Sequence, residues 1–183
     1  DYTISTAFDA VSHLFESYFS LKSNEMSKMY SQEGIRAFAK AVDAIKNRKF
    51  DEQSRSALMY ASMLGGIAIS HTGTTAMHAM GYSMTYFHGL PHGFANLYFA
   101  EPYFRHMMKQ EEQKTKTVTD LMGMTDLQSM INFFSDNIPR PKLNKEQCER
   151  YATLAMMQSS IKATPGNLTK EDIVNMFKEA GRT

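Results

Sequence analysis

The sequence predicts an all-α fold, a helical bundle of about seven to nine helices forming one domain over residues 1–183. Three observations carry this. Apolar residues recur at helical spacing along most of the chain, no stretch sustains the alternation of a strand, and glycine and proline mark the breaks between periodic segments. A chain of 183 residues can bury a substantial core without a covalent staple.

Phe8, Val11, Phe15 and Tyr18 form one stripe of the first helix, for which Ser5 or Thr6 is the expected cap, and Asp9 and His13 lie one turn apart on it. A second amphipathic stretch runs from about Asn24 to Ile45. Its apolar positions are Met26, Met29, Tyr30, Phe38, Val42 and Ile45, and Asn47-Arg48-Lys49 ends it. Asp51 begins a third helix whose Ala57, Ala61, Gly65, Gly66 and Ala68 carry little bulk, which suits the centre of a bundle. Thr74 or Thr75 opens a fourth helix that carries His78 to about Phe87, where Gly89-Leu90-Pro91 breaks it. His92 starts the next helix, which Pro102 kinks or divides, so that His78 and His92 face each other across a helix-loop-helix corner. From Lys109 the chain is more polar, through the segments 108–123 and 125–137 to a breaker at 138–142. The last portion reads as two more helices, at 144–162 and 168–180. Thr169 with Glu171 and Asp172 opens the second of these in the manner of a capping box.

Composition excludes several function classes. Twenty basic against nineteen acidic side chains leave a net charge of +1, so no global field draws the chain to nucleic acid or to an anionic membrane. A single cysteine, Cys148, rules out an internal disulfide and a cysteine-based zinc site, and it suits a reducing compartment. No run approaches the roughly 20 apolar residues that span a bilayer, and the first residues lack the basic and apolar regions of a signal peptide. The expectation is a cytoplasmic, soluble protein. Fifteen methionines without a tryptophan are read as flexible filler of a helical core rather than as an adaptable surface.

The chemistry is concentrated in two clusters, Asp9 and His13 in FDAVSHLFESY and His78 and His92 in HAMGYSMTYFHGLPHG. Residues i and i+4 project from one face of a helix, so Asp9 and His13 can reach one ion. Pairs at that spacing are common and most are merely solvated. Taken alone, His78 is more readily a hydrogen-bonded core residue than a ligand. The case for ligation comes from the set, because one carboxylate and three imidazoles suit a divalent transition metal. Among the other histidines, His88 is a candidate proton relay, His71 is structural or walls a substrate pocket, and His106 sits at a surface helix end. Met77, Met80, Met84, Tyr86 and Phe87 either wall a pocket or belong to the core.

These residues resemble the C-terminal domain of the iron-containing (group III) alcohol dehydrogenases. Asp9 to Glu16 reads DAVSHLFE, matching the family's D-A-x-x-H-x-x-E. His78 and His92 lie fourteen apart, with Pro91-His92-Gly93 followed by a matching Phe-Ala-Asn, and the later segments GMTDLQSMINFF, IPRP and TPGNLTKEDIVNMFKEA also fit. The resemblance runs nearly end to end. It implies a dehydroquinate synthase-like helical domain in which Asp9, His13, His78 and His92 hold the metal, with Fe(II) favoured and Zn(II), Co(II) or Ni(II) also suited. It further implies an NAD(P)-dependent alcohol dehydrogenase in which the metal polarises the oxygen of a small alcohol or aldehyde during hydride transfer.

Two departures from the family pattern stand out. Many members carry a further histidine near the nicotinamide, four residues after the first ligand of the second motif, where this sequence has Tyr82. The family's N-terminal nucleotide-binding domain, which would hold most of the NAD(P), has no counterpart here, since no glycine-rich strand-turn-helix segment occurs and the chain begins eight residues before Asp9. The expectation is a domain of a longer parent protein, inactive alone, with that nucleotide-binding domain as its partner and self-association left open. The competing expectation is a helical metal-binding module without dehydrogenase activity. A di-iron bundle would need paired Glu-x-x-His motifs and an HD-type phosphohydrolase an adjacent His-Asp pair, and neither occurs.

Overall fold

Helix α1, Tyr2–Phe19, is the element around which the rest is packed in a computed structural model that describes residues 2–181. Its periodicity explains why. Phe8, Val11, Leu14, Phe15 and Phe19 are fully buried on one side, while Asp9, His13 and Glu16 share another at spacings of four and three. The apolar side meets an aromatic cluster. Phe8 lies edge-on to Phe134 at 5.3 Å between centroids, Phe15 to Phe104 at 5.1 Å and Phe19 to Tyr103 at 6.2 Å. Each such ring contributes about 1.5–3 kcal/mol by leaving water, so this cluster fixes where α1 lies and which way its polar side points. The helix begins before the expected caps. Ser5 and Thr6 are interior, and the Thr6 hydroxyl donates back to Tyr2 O at 3.1 Å.

The described residues form eleven α-helices and one 3-10 turn, without a strand. Two of the expected helices are each divided, which accounts for the excess over seven to nine. The stretch from Asn24 becomes α2, Glu25–Ala39, capped by a box between Asn24 and Ser27, and α3, Val42–Asn47. On α2 the methionines are not core: Met26 and Met29 are 50% and 52% exposed, whereas Ile35 and Phe38 are buried. Helix α4, Glu52–Thr72, starts at the Asp51 cap as expected. It packs on α1 and α2, yet Met59, Tyr60 and Met63 face outward, so α4 flanks the bundle and α1 occupies its centre.

Helix α5, Ala76–His88, ends at Gly89 in the left-handed region, and Pro91 precedes α6, His92–Leu97. The division after α6 falls at Tyr98 and Phe99 rather than at Pro102. That proline sits at the third position of α7, Ala100–Gln110, where a backbone N–H has no partner within the helix to lose. Then follow α8, Glu112–Leu121, α9, Leu127–Ser135, α10, Lys145–Met156, the 3-10 turn Ser159–Ala163, and α11, Lys170–Ala180. The Thr169–Asp172 capping box of α11 is present as read from sequence. Met77, Met80 and Met84 are completely buried and therefore core rather than pocket wall. No helix among the described residues is long and apolar enough to cross a membrane.

Gly93 sets how closely α6 approaches α1. A Cβ at this position would collide with Ser5 O and lie 2.5 Å from the backbone nitrogen of Asp9. Gly93→Ala should therefore destabilise the fold by about 1–3 kcal/mol, the usual effect of overpacking. Urea unfolding measures this, and an unchanged midpoint would contradict the close approach.

Candidate metal centre

The polar side of α1 faces the start of α5 and of α6, and the four sequence candidates gather there. Ligand atoms of Asp9, His78 and His92 lie within 4.8 Å of one another. Asp9 Oδ1 is 3.5 Å from His78 Nε2, 3.7 Å from His92 Nε2 and 3.6 Å from His13 Nε2. His13 stands beside this group, against Asp9 and His78. Its ring stacks on that of His78, with centroids 4.8 Å apart and planes 18° from parallel. One carboxylate oxygen and imidazole nitrogens converging at this scale are a donor set that fits a divalent transition ion.

His78 is held by a residue to which its motif gave no separate role. Glu16, fully buried on α1, accepts from His78 Nδ1, from the Thr75 hydroxyl at 2.8 Å and from the backbone nitrogens of Thr75 and His78 at 2.8 and 3.2 Å. Thr75 precedes α5 but makes no side-chain cap bond, so the Glu16 carboxylate serves as the cap from another helix. With Nδ1 committed to Glu16, Nε2 of His78 points at Asp9 and His92 and presents a lone pair there once its own proton is lost, the carboxylate-histidine arrangement that can orient a metal ligand.

Burial opposes ionisation of Glu16, yet the charge and bonds of His78 and the bond from Thr75 hold its carboxyl below the ordinary range. Burial also opposes the charge on His78, but Glu16 and Asp9 together lift its imidazole to about 9. Asp9 is likewise pulled down by its histidines against the effect of burial. His13 and His92, unlike His78, are held below the ordinary imidazole value, because burial outweighs the attraction of Asp9.

Asn96, the asparagine of the Phe-Ala-Asn segment, has no role that the sequence pattern signals, and it lies at the foot of the cluster. Its Nδ2 is 3.0 Å from His78 Nε2, 3.1 Å from Asp9 Oδ1 and 3.4 Å from His92 Nε2. Tyr82 stacks on His92 at 5.7 Å and 14°, half exposed on the open side of the site. His88 is directed elsewhere: its Nε2 bonds the Tyr151 hydroxyl of α10 at 3.1 Å, and no contact joins it to Asp9, His78 or His92 among the described residues. His71 is exposed beside Tyr30, and His106 bonds Pro165 O at 2.7 Å, tying α7 to the turn before α11.

The sequence and the fold are similar to those of known proteins. Residues 3–181 match the sequence model of the Fe-containing alcohol dehydrogenase family, C-terminal part. The chain belongs to the iron-containing alcohol dehydrogenase family. Alcohol dehydrogenase 4 of Saccharomyces cerevisiae is 26% identical over 192 residues, covering 97% of this chain and 50% of that protein. The 1,3-propanediol dehydrogenase of Klebsiella pneumoniae is 27% identical over 121 residues, 66% of this chain and 31% of that one. The crystal structure of an iron-containing alcohol dehydrogenase from Thermotoga maritima superposes with a TM-score of 0.87 at 29% identity, over 99% of this chain and 49% of that one. The all-helical fold is thus that of the family's C-terminal region. This chain spans about half the length, or less, of the curated relatives it matches.

Three outcomes test the Glu16–His78 pair. Glu16→Ala leaves a buried imidazolium and two N–H donors unpartnered, and should cost about 3–5 kcal/mol in denaturant unfolding; a loss below about 1 kcal/mol would contradict the arrangement. The lowered carboxyl of Glu16 stabilises the fold above the ordinary carboxylate range and ceases to do so as pH falls. The raised imidazole of His78 stabilises it fully below 6.5 and ceases to do so as pH rises through about 9. The metal-free chain should therefore lose stability from about pH 6.5 towards pH 9, and Co(II) binding at pH 7 should release about one proton. Calorimetry in buffers of different ionisation enthalpy reads that release, and a value of zero would contradict a protonated His78.

Proposed function

We propose that this chain provides the metal-binding catalytic half of an NAD(P)-dependent alcohol dehydrogenase acting on a small alcohol or aldehyde. The observation that carries this reading is the convergence of Asp9, His78 and His92, with His13 beside them, in a chain of this family. The four are proposed as the ligands, and Fe(II) is the proposed ion. When bound, such an ion supplies Lewis acidity towards the alcohol or carbonyl oxygen.

The chain's own residues would do the rest. Glu16 fixes the tautomer of His78, so that Nε2 is available without a rotation. A cavity of about 430 Å³ reaches the site between Ser5, Thr6 and Asp9 on one side and Pro91, His92 and Gly93 on the other, room enough for a short-chain substrate. Tyr82, stacked on His92 at the exposed edge, is placed to meet a nicotinamide brought by a nucleotide-binding domain of the parent protein. Similarity to 1,3-propanediol and 4-hydroxybutyrate dehydrogenases supports a short alcohol or its aldehyde as substrate. A cytoplasmic parent suits the free buried thiol of Cys148.

Metal analysis of wild type, Asp9→Ala and His78→Ala after loading with Fe(II) tests the site: the variants should lose stoichiometric metal, and equal contents would remove the reading. Joined to its upstream coding sequence, the protein should reduce nicotinamide in the presence of alcohol. Changes outside the ligand shell already cost 10–100-fold, so His92→Ala should lower this activity by more than about 100-fold. Bound metal without any such activity would favour the non-enzymatic module.

A further inference from the structure

Asn96 has no exposed surface, and its amide nitrogen stands among the three converging ligand atoms. At 3.1 Å it is closer to Asp9 Oδ1 than any of the imidazole nitrogens, which lie 3.5 to 3.7 Å away. One N–H of the amide donates to Asp9 Oδ1, and the same nitrogen lies against the Nε2 atoms of His78 and His92. Without that donor the Asp9 carboxylate would be free to turn away from the two rings. The other end of the amide is fixed as well. Asn96 Oδ1 is buried without a partner and abuts Gly81 on α5, where a Cβ would collide with it.

We propose that Asn96 is the positioning residue of the metal centre, its side-chain amide holding the Asp9 carboxylate and the His78 and His92 rings converged. The proposal rests on the metal-site reading above. On loading, an ion takes the nitrogen lone pairs and the amide gives up its imidazole contacts. Its bond to the second lone pair of Asp9 Oδ1 remains, as expected for a ligating carboxylate that is itself hydrogen-bonded. This bond holds the carboxylate in place before an ion arrives; without it binding would first have to order the ligands, so removing the amide weakens binding, and the close approach of Oδ1 explains why Gly81 must lack a side chain.

Co(II) is the probe, titrated into the 183-residue chain and read by its visible absorption and by competition with a chelator. Asn96→Leu, which keeps the branching and heavy-atom count of the side chain and removes the donor, should weaken Co(II) binding by about 10–100-fold and change the absorption bands. Gly81→Ala alters no ligand residue, is backbone-compatible in a helix, and pushes the amide aside; it should weaken binding in the same direction. This second variant decides the matter if Asn96→Leu does not fold. Wild-type affinity and bands in the folded variants, even with a lowered melting temperature, would overturn the proposal, since a merely structural asparagine would move only the melting temperature. The same result alongside lost binding in His78→Ala would overturn the Asn96 role alone, whereas a wild type that binds no Co(II) would overturn the metal centre with it.

Discussion

A carboxylate with no exposure to water, Glu16, is the constraint on which the site depends. Isolated, such a charge would be strongly disfavoured in this place. It is retained because His78 supplies an opposite charge and because Thr75 and the backbone of α5 fill its remaining acceptor positions. The same contacts cap α5, orient its imidazole and fasten it to α1. Fold and site are therefore one interaction seen from two sides, and a change at Glu16 acts on both.

The centre lies at the rim of the core rather than inside it. Helix α1 gives its phenylalanines to the aromatic cluster and its Asp9, His13 and Glu16 to the opposing helices, so the packing that buries one side aims the other. Burial grades across the centre. Glu16 and His78 are enclosed, Asp9 and His13 are partly covered, and His92 with Tyr82 opens outward. That gradient holds the geometry of the buried members and leaves the site open on one side. The intimacy of α1 and α6 at Gly93 brings Asp9 and His92 together, which explains the glycine of the Pro-His-Gly motif in steric terms.

Much of the secondary structure was legible, because it is encoded locally. Asp51, Thr169 and the Gly89 break act on backbone groups within a few residues of themselves, and the structure has each in its expected role. Where burial decides, local reading was weaker. Met26 and Met29 sit at helical spacing yet remain exposed, since periodicity marks an apolar stripe without saying what covers it. The small residues of α4 signalled close packing but not position, and the centre went to α1, whose stripe is wider and more aromatic. The breaks after α2 and α6 carry neither glycine nor proline, so no local signal announced them.

The sequence by itself determined the helical class, the residue types able to hold a divalent ion, and a spacing that marked Asp9, His13, His78 and His92 as one set in this family. Spacing speaks for residues on a shared helix, because a turn fixes their mutual position. Only the tertiary structure decided that Glu16 meets a histidine 62 residues away, that the Asn96 amide enters the ligand cluster, and that His88 turns instead to Tyr151. These contacts arise when α1, α5, α6 and α10 close on one core, and closure depends on the whole chain's packing rather than on any local pattern.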